Sequence, residues 1–123
     1  MLGPILLCGN DPVLLRTREM VLSHAGFIVS VCTENDIASM PQEPAIALGV
    51  MGHSMPHKQQ IETAERVRTK WPETKILFLR ESDTSLAQLS AFEYECGSVD
   101  PARLIKACRV IFDSSTDSAA EFA

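Results

Sequence analysis

The chain is poor in everything that would mark it as a binder of polyanions or a membrane protein. Its 11 Lys and Arg are outnumbered by 16 Asp and Glu, for a formal net charge of −5. A nucleic-acid binder needs a basic stripe that displaces counterions from phosphates, and no such stripe is present. The cations Arg16, Arg18, Arg66, Arg68, Lys70, Lys106 and Arg109 are instead scattered over expected polar helix faces, the pattern of a solvated surface. No apolar run approaches the roughly 20 residues of a membrane-spanning helix. Aromatic residues make up only 6% of the chain. The four cysteines, Cys8, Cys32, Cys96 and Cys108, sit singly in apolar segments, with no Cys-x-x-Cys pair and no metal-ligand spacing. Packing in a reducing cytoplasm, rather than redox chemistry, is their expected role. Met1-Leu2-Gly3-Pro4 runs into the first apolar stretch without a basic flank, so a signal segment is not expected. Gly9-Asn10-Asp11 lacks GxGxxG spacing, and no Ser/His/Asp or Cys/His constellation assembles.

What is present is a single domain's worth of alternating pattern. At 123 residues, 46% apolar and 22% charged, the chain is long enough for a sizeable core. Ile5-Leu6-Leu7-Cys8 has no polar alternation and suits a strand covered on both faces. Asp11-Pro12 is a helix start, with a capping carboxylate followed by proline at the first helical position. Leu14, Val21, Leu22 and Ala25 give that helix its stripe, and Gly26 its stop. Phe27 to Cys32 is β-branched and strand-like. Thr33 with Asp36 opens a short helix ending near Met40. The small apolar run Ala45 to Met51 is a buried strand, and it leads into the loop Gly52-His53-Ser54-Met55-Pro56. A helix from about Lys58 to Trp71 follows, with Ile61, Ala64, Val67 and Trp71 inward. Lys75-Ile76-Leu77-Phe78-Leu79 is a fourth strand, the segment Asp83 to Phe92 holds a short helix at best, and Phe92 to Cys96 is an edge strand. Asp100-Pro101 repeats the cap-plus-proline start of a last helix carrying Leu104, Ile105, Cys108 and Ile111. Residues 1–112 form the domain, and the small, acidic segment 113–123 is expected to be a flexible tail. Strands alternating with helices require right-handed crossovers, hence an α/β, flavodoxin-like doubly wound parallel sheet of five strands in the order 2-1-3-4-5.

In this order and spacing the chain resembles a response-regulator receiver domain (CheY-like), the phosphoacceptor module of two-component, phosphorelay signal transduction in bacteria. The resemblance rests on the stretch from Ile5 through Leu15, the Met55-Pro56 pair, Arg66-Val67-Arg68-x-x-Trp71-Pro72 ahead of Lys75 to Leu79, and Val99-Asp100-Pro101-Ala102-Arg103-Leu104. It implies a site built from two Mg²⁺-holding acids after strand one, an acceptor aspartate after strand three, a hydroxyl after strand four and a lysine after strand five. This chain departs at each. The acidic pair falls on Gly9 and Asn10, the acceptor on Gly52, the hydroxyl on Arg80, and the lysine on Gly97, followed by Ser98 where the family has proline. Even with the register shifted, Val50, Met51, Gly52 and His53 offer no carboxylate. Asp11 corresponds to the family's optional third acid and is sufficient as a helix cap. The stretch from Arg80 to Tyr94 is short for the family, so the fourth helix is expected to be shortened.

The expectation is therefore a degenerate, stand-alone pseudo-receiver that is not an enzyme and acts through phosphorylation-independent protein–protein interaction. Mg²⁺ binding is not expected, and neither nucleic acid nor membrane is an expected partner. A histidine kinase or other signalling protein is the expected partner. The surfaces proposed for contact are the loop Gly52–His57 and the Ser82–Cys96 face with the last helix, which is also the candidate surface for a homodimer. His53, beside the vacant acceptor position, is a candidate nucleophile or metal ligand with His57, weighed against a solvated loop histidine. Arg80 and Glu81 are expected to pair or fill the empty pocket, and Tyr94, on the family's aromatic switch position, is expected to pack. The alternative is a ligand-binding protein or enzyme on the same fold that uses the Gly9–Asp11 and His53 loops.

Overall fold

Aliphatic runs with no polar alternation become central strands, because both of their faces must be covered. In the computed structural model, which describes all residues except 1, 33, 82–84, 98, 99 and 123 and the side chains of all but 2, 3, 34, 35 and 114–122 of the rest, these runs form one sheet. The elements are β1 (Leu2–Cys8), α1 (Pro12–His24), β2 (Phe27–Cys32), a 3₁₀ segment (Glu34–Ser39), β3 (Leu48–Met51), α2 (His57–Lys70), β4 (Lys75–Arg80), β5 (Ala87–Gln88), β6 (Glu93–Gly97) and α3 (Pro101–Phe122). The strand order is β2-β1-β3-β4-β6-β5. Five strands are parallel, and β5 alone runs antiparallel to its neighbour. With the two-residue β5 set aside, the parallel strands follow the flavodoxin-like order 2-1-3-4-5.

The period-2 alternation of strand side chains splits the core into two layers. Ile5, Leu7, Val50, Leu77 and Leu79 pack with Leu15 and Leu22 of α1 and Leu104, Cys108 and Ile111 of α3. Leu6, Cys8, Met51, Ile76 and Phe78 pack with Ile37, Ala64, Val67 and Trp71 on the opposite side. The helix ends are locally encoded. Asp11 Oδ1 accepts from the amides of Val13 and Leu14 at 3.0 and 3.2 Å, with Pro12 beginning the helix. Gly26, at φ 99, reverses the chain out of α1 in a conformation that side chains disfavour. Asp100 Oδ1 accepts from the Ala102 amide at 2.9 Å at the start of α3.

Several expectations are corrected. Residues 85–92 contain no helix. Instead a two-residue strand folds back on β6, closed by the Leu89 amide donating to Glu93 O at 2.8 Å. A segment this short cannot both cross the sheet and complete a helix, and a hairpin satisfies its backbone locally. As a result β5 is the edge, and β6, expected there, is interior, with Tyr94 and Cys96 buried. Residues 113–122, the segment expected to be a flexible tail, are helical and continue α3, since extending a formed helix costs far less than starting one. On α2 the inner face is Gln60, Thr63, Ala64 and Val67, whereas Ile61 is exposed. The expected helix after β2 is a 3₁₀ segment whose presumed cap, Thr33, lies outside the described residues. So do 82–84 of the proposed contact face, the presumed helix start Asp83, and Ser98 and Val99.

Candidate functional site

Parallel strands in register end together, so the loops that follow them share one edge of the sheet. Cys8 pairs with Cys32 and Met51, Met51 with Phe78, and Arg80 with Gly97. Gly9, Asn10, Asp11, Gly52, His53, Arg80, Glu81 and Gly97 thus converge on the carboxyl edge. There the crossovers from β1 and β3 diverge to opposite faces, the usual crevice of such sheets.

That crevice is filled by side chains of the chain itself. Arg18, from the second turn of α1, is buried at 7% exposure and turns its guanidinium over Gly52. Its Nη2 lies 2.9 Å from His53 Nδ1. A β-carbon built on Gly52 would stand 3.2 Å from Arg18 Nη1 and 2.9 Å from Cys8 O. Gly52 is thus a close-approach glycine, with its amide donating to Cys8 O at 2.8 Å. Burial lowers the Arg18 pKa, and the nearby Asp11 carboxylate partly offsets that shift. A guanidinium still keeps its charge at any physiological pH.

A second plug comes from α2. Gln60, 1% exposed, donates through Nε2 to Met51 O at 3.1 Å, Gly52 O at 3.0 Å and Leu79 O at 3.0 Å. Its Oε1 accepts from Arg80 Nη1 at 2.7 Å. Arg80 also reaches His57 Nδ1 at 2.9 Å and pairs with Glu95 Oε2 at 3.2 Å. Arg80 therefore does enter the pocket, where it forms an ion pair with Glu95, while Glu81 is exposed. Side chains alternate along a strand, and Glu95 pairs in register with Phe78, two residues before Arg80, so Arg80 and Glu95 stand diagonally on one face of β4 and β6, whereas adjacent residues point to opposite faces.

The remaining loop groups are tied to one another. Asn10 exchanges two side-chain hydrogen bonds with Gln59, both at 3.1 Å, and its amide donates to Ser54 Oγ at 3.0 Å. His53 is half-buried against Arg18 rather than solvated. His53 and His57 are held by different arginines. Tyr94 is buried in the core layer between the sheet and helices α1 and α3. Arg18 and Gln60 were missed from sequence because polarity assigned them to outer faces. Spacing was the available signal. Arg18 lies three residues after Leu15 and four before Leu22, and Gln60 lies four before Ala64 and seven before Val67, so both sit on the buried stripes.

No family profile and no curated protein matches this sequence. Solved structures do. The chain superposes on a response-regulator receiver domain protein (CheY-like) from Methanospirillum hungatei JF-1 with a TM-score of 0.73 at 17% identity, covering 96% of this chain and 99% of that one. The fold is that of a response-regulator receiver domain. A response regulator from Thermotoga maritima gives 0.70 at 13% identity over 92% of this chain and 99% of that chain. The chemotaxis protein CheY4 of Vibrio cholerae gives 0.66 at 17% identity over 89% and 98%.

Receivers by resemblance use Mg²⁺ at this edge, and the residues present do not fit it. The ion demands a near-octahedral shell of oxygen ligands, with carboxylates anchoring it. Gly9, Asn10 and Gly52, the positions that the sequence resemblance assigns to those ligands, carry no carboxylate, and the Arg18 guanidinium stands where a side chain at position 52 would project. Among the described residues no group of three or more His, Cys, Asp or Glu gathers that could hold a metal.

Proposed function

We propose that this chain is a degenerate receiver domain that works in two-component signalling by protein–protein contact, with neither phosphorylation at an aspartate nor bound Mg²⁺, and without enzymatic activity. The observation that carries this reading is Arg18. An acyl phosphate needs a carboxylate to form on and a cation to offset it. This receiver fold has a glycine in the acceptor position and a cation, Arg18, already over it. Arg80 occupies the hydroxyl position with its charge opposed by Glu95, a pairing that makes no use of phosphate. The edge is thereby held in one arrangement, and a partner, for which a histidine kinase or other signalling protein is the leading class, meets a surface that does not switch. The Gly52–His57 loop and the Ser82–Cys96 face with α3 are the surfaces offered to it, and the second is also available for self-association.

The test is to incubate the protein with acetyl phosphate, or with beryllofluoride, in the presence and absence of Mg²⁺. Intact mass and amide chemical shifts at the carboxyl edge are followed. Unchanged mass and unchanged shifts are expected. An incorporated phosphate, or Mg²⁺-dependent shifts at residues 9–11 or 52–54, would overturn the reading.

A further inference from the structure

Cys8 closes β1 and Cys32 closes β2, and the two are register partners on neighbouring parallel strands. Register partners point to the same face of a sheet, and their sulfurs lie 3.6 Å apart although 24 positions separate them in sequence. A disulfide needs α-carbons roughly 4.4–6.8 Å apart, and neighbouring strands run about 4.8 Å apart, so bond closure requires side-chain rotation without strand movement. The two thiols are not equivalent. Cys8 has no exposed surface, whereas Cys32 keeps 4% and borders an open groove of about 350 Å³ lined by Gly9, Asn10, Leu15, Arg16, Val31 and Asp36. The hydrogen bond between the two thiols holds the Cys32 pKa below its ordinary value, and the same bond with burial raises that of Cys8.

We propose that Cys8 and Cys32 form a dithiol modification site that a small disulfide oxidises through the groove, with Cys32 as the attacking thiol and Cys8 as the resolving one. In the first step the Cys32 thiolate attacks one sulfur of the low-molecular-weight disulfide. Its S–S bond breaks, and the departing thiolate takes up the proton that Cys32 has lost. In the second step Cys8 gives up its proton and attacks Cys32 Sγ, expelling the second small thiol. Two protein thiols are thereby oxidised by two electrons, and one disulfide is reduced to two thiols. The cross-link would lie directly beneath the plugged edge, because Cys8 O accepts the Gly52 amide at 2.8 Å and the Gly9–Asn10 turn begins at the next residue.

The experiment treats the full chain with glutathione disulfide and then counts thiols by alkylation after denaturation. The expected result is loss of two of the four thiols, a mass lower by two hydrogens, and a tryptic cross-link between residues 1–16 and 19–58, all reversed by reductant. Amide resonances of Gly9, Asn10 and Gly52 should shift on oxidation. A Cys96→Ala/Cys108→Ala variant should behave as the parent. Cys8→Ala should stop at the mixed disulfide on Cys32, and Cys32→Ala should give neither product. Mapping of the unaltered protein decides the matter even if a variant fails to fold. A cross-link through Cys96 or Cys108, or four intact thiols under conditions that oxidise the urea-unfolded chain, would overturn the proposal.

Discussion

Replacing Gln60 with methionine tests whether the carboxyl edge is held by a buried polar plug. The substitution keeps an unbranched side chain of similar volume, so the change is in hydrogen bonding rather than in packing. Two amide hydrogens on Nε2 serve three backbone carbonyls at 3.0–3.1 Å, drawn from the ends of β3 and β4 and the loop after β3, and Oε1 accepts from a charged donor at 2.7 Å. Each neutral bond contributes about 1 kcal/mol net, and a bond to a charged group about 1.5–3 kcal/mol. Arg80 keeps Glu95 and His57, which places its loss at the low end. The expected destabilisation is about 3 kcal/mol, which in a domain of this size lowers Tm by about 12 °C. Urea unfolding read through the sole tryptophan, the buried Trp71, should show a lower midpoint with unchanged slope. A double-mutant cycle with Arg80→Met should return a coupling of about 1–2 kcal/mol. A loss below about 1 kcal/mol, with no coupling, would mean that water serves those carbonyls equally well and that the plug is not structural.

Restoring the acceptor alone should not restore a receiver. Gly52→Asp forces a β-carbon to within 2.9 Å of Cys8 O and 3.2 Å of Arg18, so a loss of about 1–3 kcal/mol is expected, together with no Mg²⁺-dependent change in Tm. Stabilisation of this variant by Mg²⁺ would show that Arg18 yields the site. On the opposite side of the sheet from α2, burial pushes the Cys108 thiol from its ordinary value of 9.0 to about 12. Above pH 9 the unfolded chain therefore loses this proton while the folded chain retains it, so stability falls as pH rises from about 9 towards about 12. Cys108→Ala should flatten that decline relative to the parent in urea melts taken between about pH 8.5 and 10.5, and parallel curves would refute the linkage.

The parallel order of the sheet was legible because uninterrupted aliphatic runs such as Ile5 to Cys8 and Lys75 to Leu79 admit few other placements. Helix starts were legible at Asp11-Pro12 and Asp100-Pro101, where one capping atom serves neighbouring amides. The segment after β4 was not legible. Leu86 and Leu89 at helical spacing compete there with a hairpin whose hydrogen bonds are local, and chain length decides between them. The polar plugs escaped for a different reason. Hydrophobicity assigns Arg18 and Gln60 to water, but each has partners from elsewhere in the chain: Arg18 meets the loop after β3, and Gln60 meets β3, the loop after it and β4. Burial of a polar group follows from where its partners stand, and those positions exist only once the sheet has formed.

On the proposed reading, the departures at Gly9, Asn10, Gly52, Arg80 and Gly97 are more coherent than five separate losses. A receiver edge with its carboxylates deleted would leave backbone carbonyls and a crevice facing one another without compensation. In this chain a buried guanidinium covers Gly52, and an amide bridges the ends of β3 and β4. A permanent cation over Gly52 also carries no dependence on a phosphoryl donor, since arginine does not titrate in the physiological range. Arg18→Met should therefore bring water into the crevice without bringing in Mg²⁺, because no carboxylate of the Gly9-Asn10 pair or of position 52 is there to hold it.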